Sequence, residues 1–150
     1  MNAAESGQPA PDIARPLLTP LKRIATPKGD VMHGIKCIDP GYAGFGEAYF
    51  SLVNEGEIKG WKRHFRMTLN LICSSGRVRV VVRDESGVVL DTQLSPDSPE
   101  LYGRLTVPPG YFVAFQGLVP GYSTVLNVAS IPHDPEESET RSVDFFGWDA

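Results

Sequence analysis

Ile58-Lys59-Gly60-Trp61-Lys62-Arg63-His64-Phe65-Arg66-Met67-Thr68-Leu69-Asn70-Leu71 is the stretch on which the reading of this chain turns. Every even position from Lys62 to Asn70 is polar: Lys62, His64, Arg66, Thr68 and Asn70. Odd positions from Trp61 to Leu71 are apolar except Arg63. Side chains alternate faces along a β-strand, so a period of two marks a strand with one polar and one apolar side. The polar side carries three potential cations and no acid. A face turned to plain solvent usually mixes charge signs, so this one reads as the wall of a polar, anion-tolerant pocket. A solvated face with a chance run of basic residues is the plainer alternative. The opposite side (Trp61, Phe65, Met67, Leu69, Leu71) is too apolar for water and is expected to pack on a second sheet. Trp61 is expected there or against a dimer partner.

Working outward, helix signals are scarce. Fifteen glycines and thirteen prolines punctuate short β-rich runs. Strands are expected near 31–38, 47–54, 65–74, 77–84, 88–93, 102–107, 111–116 and 123–130. Turns are expected at Ser74-Ser75-Gly76, Glu85-Ser86-Gly87, Pro108-Pro109-Gly110 and Pro120-Gly121. About eight short strands at this spacing indicate an all-β sandwich or barrel. Residues 1–20 contain four prolines and read as an N-terminal arm or disordered tail, leaving 21–150 as a single domain. The acidic, turn-rich segment 132–142 reads as a loop.

Composition narrows the function classes. A chain of 150 residues holds one domain with a real core. No apolar run reaches the roughly 18 residues a membrane helix needs. Met1 to Pro11 show no apolar signal core, so a cytoplasmic protein is expected. Cys37 and Cys73 sit in apolar strand patterns and read as reduced core residues. A net charge of −4 argues against general nucleic-acid binding. There is no Gly-rich phosphate loop, no G-x-S-x-G elbow and no C-x-x-C. The three histidines, His33, His64 and His133, include no His-x-His pair, and neither a metal nor any other cofactor is expected.

Three features taken in order resemble a known family. They are the Lys59-Gly60-Trp61 step into a polar-faced strand, Gly76 after that strand, and Pro108-Pro109-Gly110-Tyr111 before another. Over roughly residues 27–145 the chain is similar to the dTDP-4-dehydrorhamnose 3,5-epimerase family of cupins, with the sugar 3,4-ketoisomerases close by. The resemblance implies a cupin-type jelly roll or small β-barrel, a homodimer, and metal-free action on a dTDP-linked 4-keto-6-deoxy sugar. The family's Arg-Gly-Leu-His run reads here Lys59-Gly60-Trp61-Lys62, so Lys62 stands at the position of the proton-abstracting histidine. The ketoisomerases' second histidine, two residues on, corresponds to His64. The early Arg-Gly-x-Phe-x-Glu pattern reads Lys28-Gly29-Asp30-Val31-Met32-His33, with His33 in place of the glutamate. If Pro135 is the proline after the family's acidic tyrosine, His133 falls near the tyrosine position. Asp144 then falls near the aspartate that steadies the catalytic histidine. Val113 replaces the usual histidine after Pro-Pro-Gly.

Proton removal beside a ketone needs a base of near-neutral pKa and a group that stabilises the enolate. Histidine meets the first need without adjustment, which makes His64 the expected base. Lys62 is expected as electrophile or phosphate partner, and His133 as acid. Lys59, Lys62 and Arg66 are expected to hold the diphosphate or enolate oxygen, with Thr68, Asn70 and His33 lining the substrate. An aromatic such as Tyr42, Tyr49 or Tyr111 is a candidate to stack on a thymine. The plainer readings make Tyr49 and Tyr111 core or rim aromatics, and His33 and His133 loop histidines. The expected function is thus a nucleotide-sugar epimerase in deoxysugar or polysaccharide synthesis. A sugar 3,4-ketoisomerase and a non-catalytic sugar-nucleotide-binding cupin stay open, as do the sugar, the nucleotide and the stereochemistry.

Overall fold

The computed structural model describes residues 13–149. Its strands are β1 Leu17–Pro20, β2 Arg23–Ile24, β3 Val31–Met32, β4 Glu47–Asn54, β5 Ile58–His64, β6 Leu69–Ser75, β7 Val78–Asp84, β8 Gly87–Leu94, β9 Gly103–Val107, β10 Phe112–Gly117, β11 Tyr122–Ala129 and β12 Ser138–Thr140. A 3-10 turn, Pro135–Glu137, precedes β12, and a one-turn helix α1, Val143–Phe146, follows it. Two five-stranded sheets face one another, in the orders β1-β9-β6-β11-β4 and β12-β5-β10-β7-β8. β2 and β3 form a separate two-stranded ribbon. Every strand pairing in these sheets is antiparallel, and the consecutive strands β4, β5 and β6 alternate between the sheets, as in a jelly roll.

The interior between the sheets is filled from alternate positions. Val78, Val80 and Val82 of β7 meet Leu69, Leu71 and Cys73 of β6, with Val53, Leu105, Val107, Val113 and Val125 around them. A second apolar layer lies outside the β5-β10-β7 sheet. There Trp61, Phe112, Val81 and Ala114 are covered by Phe146 and Trp148 of the C-terminal segment. Two glycines are sterically required. At Gly60 a side chain would overlap the Ala114 methyl of the neighbouring strand. Gly76 turns from β6 to β7 at φ +82° while pressed against Ser123.

The opening stretch is not one strand. β5 ends at His64, residues 65–68 bend across to the other sheet, and β6 begins at Leu69. The face assignment flips at this corner. In β5 the even residues Lys62 and His64 face inward, whereas in β6 the odd residues Leu69 and Leu71 do. The expected apolar face divides accordingly. Trp61 packs outward under the C-terminal segment, Phe65 is half exposed, and Met67, Leu69 and Leu71 enter the interior.

Other expectations need adjusting. The strand expected over 31–38 is only Val31–Met32, and Cys37 lies exposed in the loop beyond it, while Cys73 is buried. Burial pushes the Cys73 thiol up to about 11. Most of the expected arm, residues 1–12, lies outside the described residues. Leu17–Pro20, its end, pairs with β9. The acidic segment read as a loop supplies the 3-10 turn and β12.

Candidate active site

A cavity of about 270 Å³ opens between the sheets, lined by Lys59, Gly60, Lys62 and His64 of β5, with Tyr49 and Ser51 of β4 on the facing sheet. Leu69, Leu71, Val113, Phe115 and Val125 make its apolar floor, and Asn127 and Thr140 complete it. A small apolar cavity with a few convergent polar groups is the usual form of a small-molecule site.

His64 is firmly anchored in this wall. Its ring is 6% exposed, and Nδ1 is hydrogen-bonded to Glu137 Oε1. The other carboxylate oxygen of Glu137, Oε2, accepts from the backbone N–H groups of Arg66 (3.0 Å) and Met67 (3.1 Å). The corner that ends β5 therefore grips the carboxylate that grips the histidine. The 3-10 turn presents Glu137 there: Asp134 caps the turn by accepting from the Glu136 amide at 3.0 Å, and β12 then pairs with β5, Ser138 opposite His64. Burial pushes the Glu137 carboxyl up. The His64 ring and the two amides more than offset this, leaving Glu137 below the ordinary glutamate value. An ionised carboxylate only accepts, so Nδ1 carries the proton and Nε2 is the ring's free nitrogen. This orients histidine as a base, the logic by which a carboxylate sets the tautomer in acyl-transfer triads.

Across the cavity stands Tyr49. Asn127 Nδ2 donates to its phenol oxygen at 3.0 Å, while Asn127 Oδ1 accepts from the Asn70 amide at 3.0 Å. With its oxygen already accepting one bond, the phenol keeps its own proton to donate. Lys59 and Lys62 bring positive charge, and among the described residues no carboxylate lines the cavity.

The structure gathers only part of the expected site. Lys59, Lys62 and His64 share this cavity. Arg66 and Thr68, within the corner, line a neighbouring cavity of about 350 Å³ with Tyr42 and Ser130. There Arg66 pairs with Asp134 at 3.2 Å, and the Thr68 amide donates to Ser130 Oγ at 2.8 Å. Asn70 is buried on the far side of its sheet, donating to Gly41 O at 3.0 Å and accepting from Thr106 Oγ1 at 2.6 Å. The single polar wall expected from Lys62 to Asn70 is thus corrected to two inward residues, two in a second cavity and one structural tie. His33 lines a third cavity with Arg104, and its carbonyl accepts from the Tyr102 hydroxyl at 2.7 Å. His133 is exposed, its amide bonded to Glu47. The Tyr111 hydroxyl donates to Ala14 O at 3.3 Å. Asp144 is exposed in the first turn of α1, and the carboxylate at His64 is Glu137.

Glu137, Tyr49 and Asn127 were the residues sequence reasoning missed as a set. Glu137 hid inside an acidic run that looked like solvated loop. From the sequence Tyr49 reads as a stacking, core or rim aromatic. The one available signal was its place on β4 at a position that alternation puts on the same face as Ser51 and Val53.

No family model and no curated protein matches the chain. Solved structures do. A dTDP sugar isomerase from Desulfovibrio desulfuricans is 30% identical, with 88% of this chain and 87% of that one covered and a TM-score of 0.79. A sugar 3,4-ketoisomerase from Thermoanaerobacterium thermosaccharolyticum, solved in complex with TDP, is 20% identical over 90% of this chain and 93% of that chain, with a TM-score of 0.72. A dTDP-4-dehydrorhamnose 3,5-epimerase from Sulfolobus tokodaii is 17% identical over 89% and 80%, also at 0.72. The latter two share the fold.

Proposed function

We propose, from the premise that this chain belongs to the dTDP-sugar isomerase family of cupins, that it moves a proton at a carbon next to the ketone of a dTDP-linked 4-keto-6-deoxyhexose. The chain is an isomerase, read here as one of the nucleotide-sugar epimerase type. The observation that carries the assignment to this cavity is the His64–Glu137 pair, a buried histidine held by a buried carboxylate at the wall of a chamber sized for a sugar ring.

His64 Nε2 takes the proton from the carbon beside the ketone. Negative charge then develops at the carbonyl, and Lys62 on the same strand face meets it there, in a cavity whose apolar walls strengthen that interaction. Tyr49 belongs to the opposite sheet, so a proton it returns arrives on the other side of the sugar from His64. Removal on one face and delivery on the other inverts the centre, which favours epimerisation. Lys59, exposed at the cavity edge, meets the diphosphate. A nucleotide sugar as substrate fits a cytoplasmic enzyme.

A second copy of the chain is part of this reading. Phe50 and Leu52 lie on the outer face of β4, at the end of its sheet, and are 66% and 48% exposed. Leu126 of β11 lies opposite Phe50. An apolar face of this kind marks an interface, and a partner here would close over the strand that carries Tyr49.

Proton NMR of dTDP-4-keto-6-deoxyglucose with the protein in deuterated water tests the reaction. Deuterium entering at C3 or C5 with the ketone still at C4 is expected. Migration of the ketone to C3 would make the protein a ketoisomerase, and no exchange would leave it a binding protein.

A further inference from the structure

Resting on the reaction proposed above, we infer that Lys62 is a covalent catalyst that forms an imine with the sugar ketone. Lys62 and His64 project from the same face of β5, two residues and so about 6–7 Å apart along the strand. One ring atom and its neighbour can therefore sit between an amine and a base. Lys62 is half-buried among apolar walls that include Val113, its partner across the strand pair. Among the described residues no carboxylate lines this cavity and none ion-pairs with Lys62. The amine is thus tied to no partner, and a carbonyl carbon is the electrophile that the proposed substrate brings to it.

The steps balance without any outside reagent. Lys62 gives one ammonium proton to solvent and its nitrogen adds to the C4 carbonyl; that proton returns to the departing hydroxyl, which leaves as one water, and a C=N⁺ bond stands in place of C=O. The iminium withdraws electrons from the neighbouring C–H more strongly than the ketone does. His64 takes that proton and the electron pair moves to nitrogen, giving an enamine. A proton donated by Tyr49 re-forms the iminium, and solvent carries the proton held by His64 back to the Tyr49 phenolate. One water then adds at C4 and releases both the ketone and the free lysine. On this account a lysine in the cavity is a gain in electrophilic power rather than a bare positive charge.

The test is reductive trapping of the full chain with dTDP-4-keto-6-deoxyglucose and sodium cyanoborohydride, followed by intact-mass measurement and peptide mapping. The expected result is a mass increase equal to the substrate less its carbonyl oxygen, located on Lys62. It should be absent with dTDP alone and absent in a folded Lys62→Arg protein. Deuterium incorporation into the keto sugar is read on the same wild-type sample. Exchange without an adduct overturns the imine and leaves the proposed reaction standing. Neither exchange nor adduct overturns both. An adduct on Lys59 alone, or a Lys62→Arg protein with wild-type exchange, also overturns the assignment.

Discussion

In the proposed reaction Glu137 is the residue that holds the base. Replacing it with glutamine removes the acceptor that fixes the His64 tautomer and leaves the Arg66 and Met67 amides facing a weaker partner. Glu137→Gln is expected to lower turnover roughly 100- to 10,000-fold, the range of a positioned acid–base group. Denaturant unfolding should show a cost of about 1–3 kcal/mol for the lost charged hydrogen bonds. The pH dependence has a definite sign. Because the folded Glu137 value lies below the unfolded one, its contribution is fully present above about pH 4.3 and is lost as pH falls through the lower folded value. Glu137→Gln should therefore flatten the acid limb of stability against pH. An unchanged acid limb would show that the carboxylate is not ionised in the fold. His64, Lys62 and Lys59 were legible in the sequence because alternation on β5 is local. Glu137 was not, because it reaches His64 across 73 positions, and nothing in an acidic run announces which member turns inward.

At the level of elements, the strands expected at 47–54 and from 77 to 130 agree with the observed ones to within a residue, whereas 65–74 starts four residues before β6 and β5 was not expected as a separate strand. The strand expected over 47–54 coincides with β4, and 77–84 differs from β7 by one residue. The corner at residues 65–68 was not readable. Its residues continue the polar–apolar alternation while the chain changes sheets, so the pattern persists and its meaning inverts. The extra layer outside β5 was equally silent in the sequence. Trp61 is sandwiched there, with ring centroids 5.6 Å from Phe146 and 5.9 Å from Trp148. Arg83 stacks 3.9 Å above Phe146, and Arg79 lies 4.8 Å from Trp148. Arg141 bridges to Phe112 at 4.5 Å and pairs with Glu85 at 3.0 Å. These contacts bind the C-terminal segment to the back of the strand whose front bears Lys62 and His64. Trp61→Ala should cost about 3–5 kcal/mol, the usual loss for a fully buried aromatic, seen as a lower denaturation midpoint. A shift under about 1 kcal/mol would show that the layer is dispensable, since that is the size of an ordinary surface change.

For the molecule as a whole, the two sheets enclose the proposed catalytic chamber, and the outer face of β4 and β11 remains apolar. Light scattering at micromolar concentration should report a dimer, and Phe50→Glu should convert it to a monomer by burying an unpaired charge in the interface. A wild-type monomer at that concentration would contradict the arrangement. The central claim is that His64, held by Glu137, is the base acting on a keto sugar bound between the sheets. The measurement that addresses it most directly compares solvent-deuterium incorporation into dTDP-4-keto-6-deoxyglucose by the wild type and by His64→Asn, with calorimetric binding of the same ligand to both. The account predicts that His64→Asn binds nearly as well as the wild type and incorporates no deuterium above background. Full exchange by His64→Asn would contradict it.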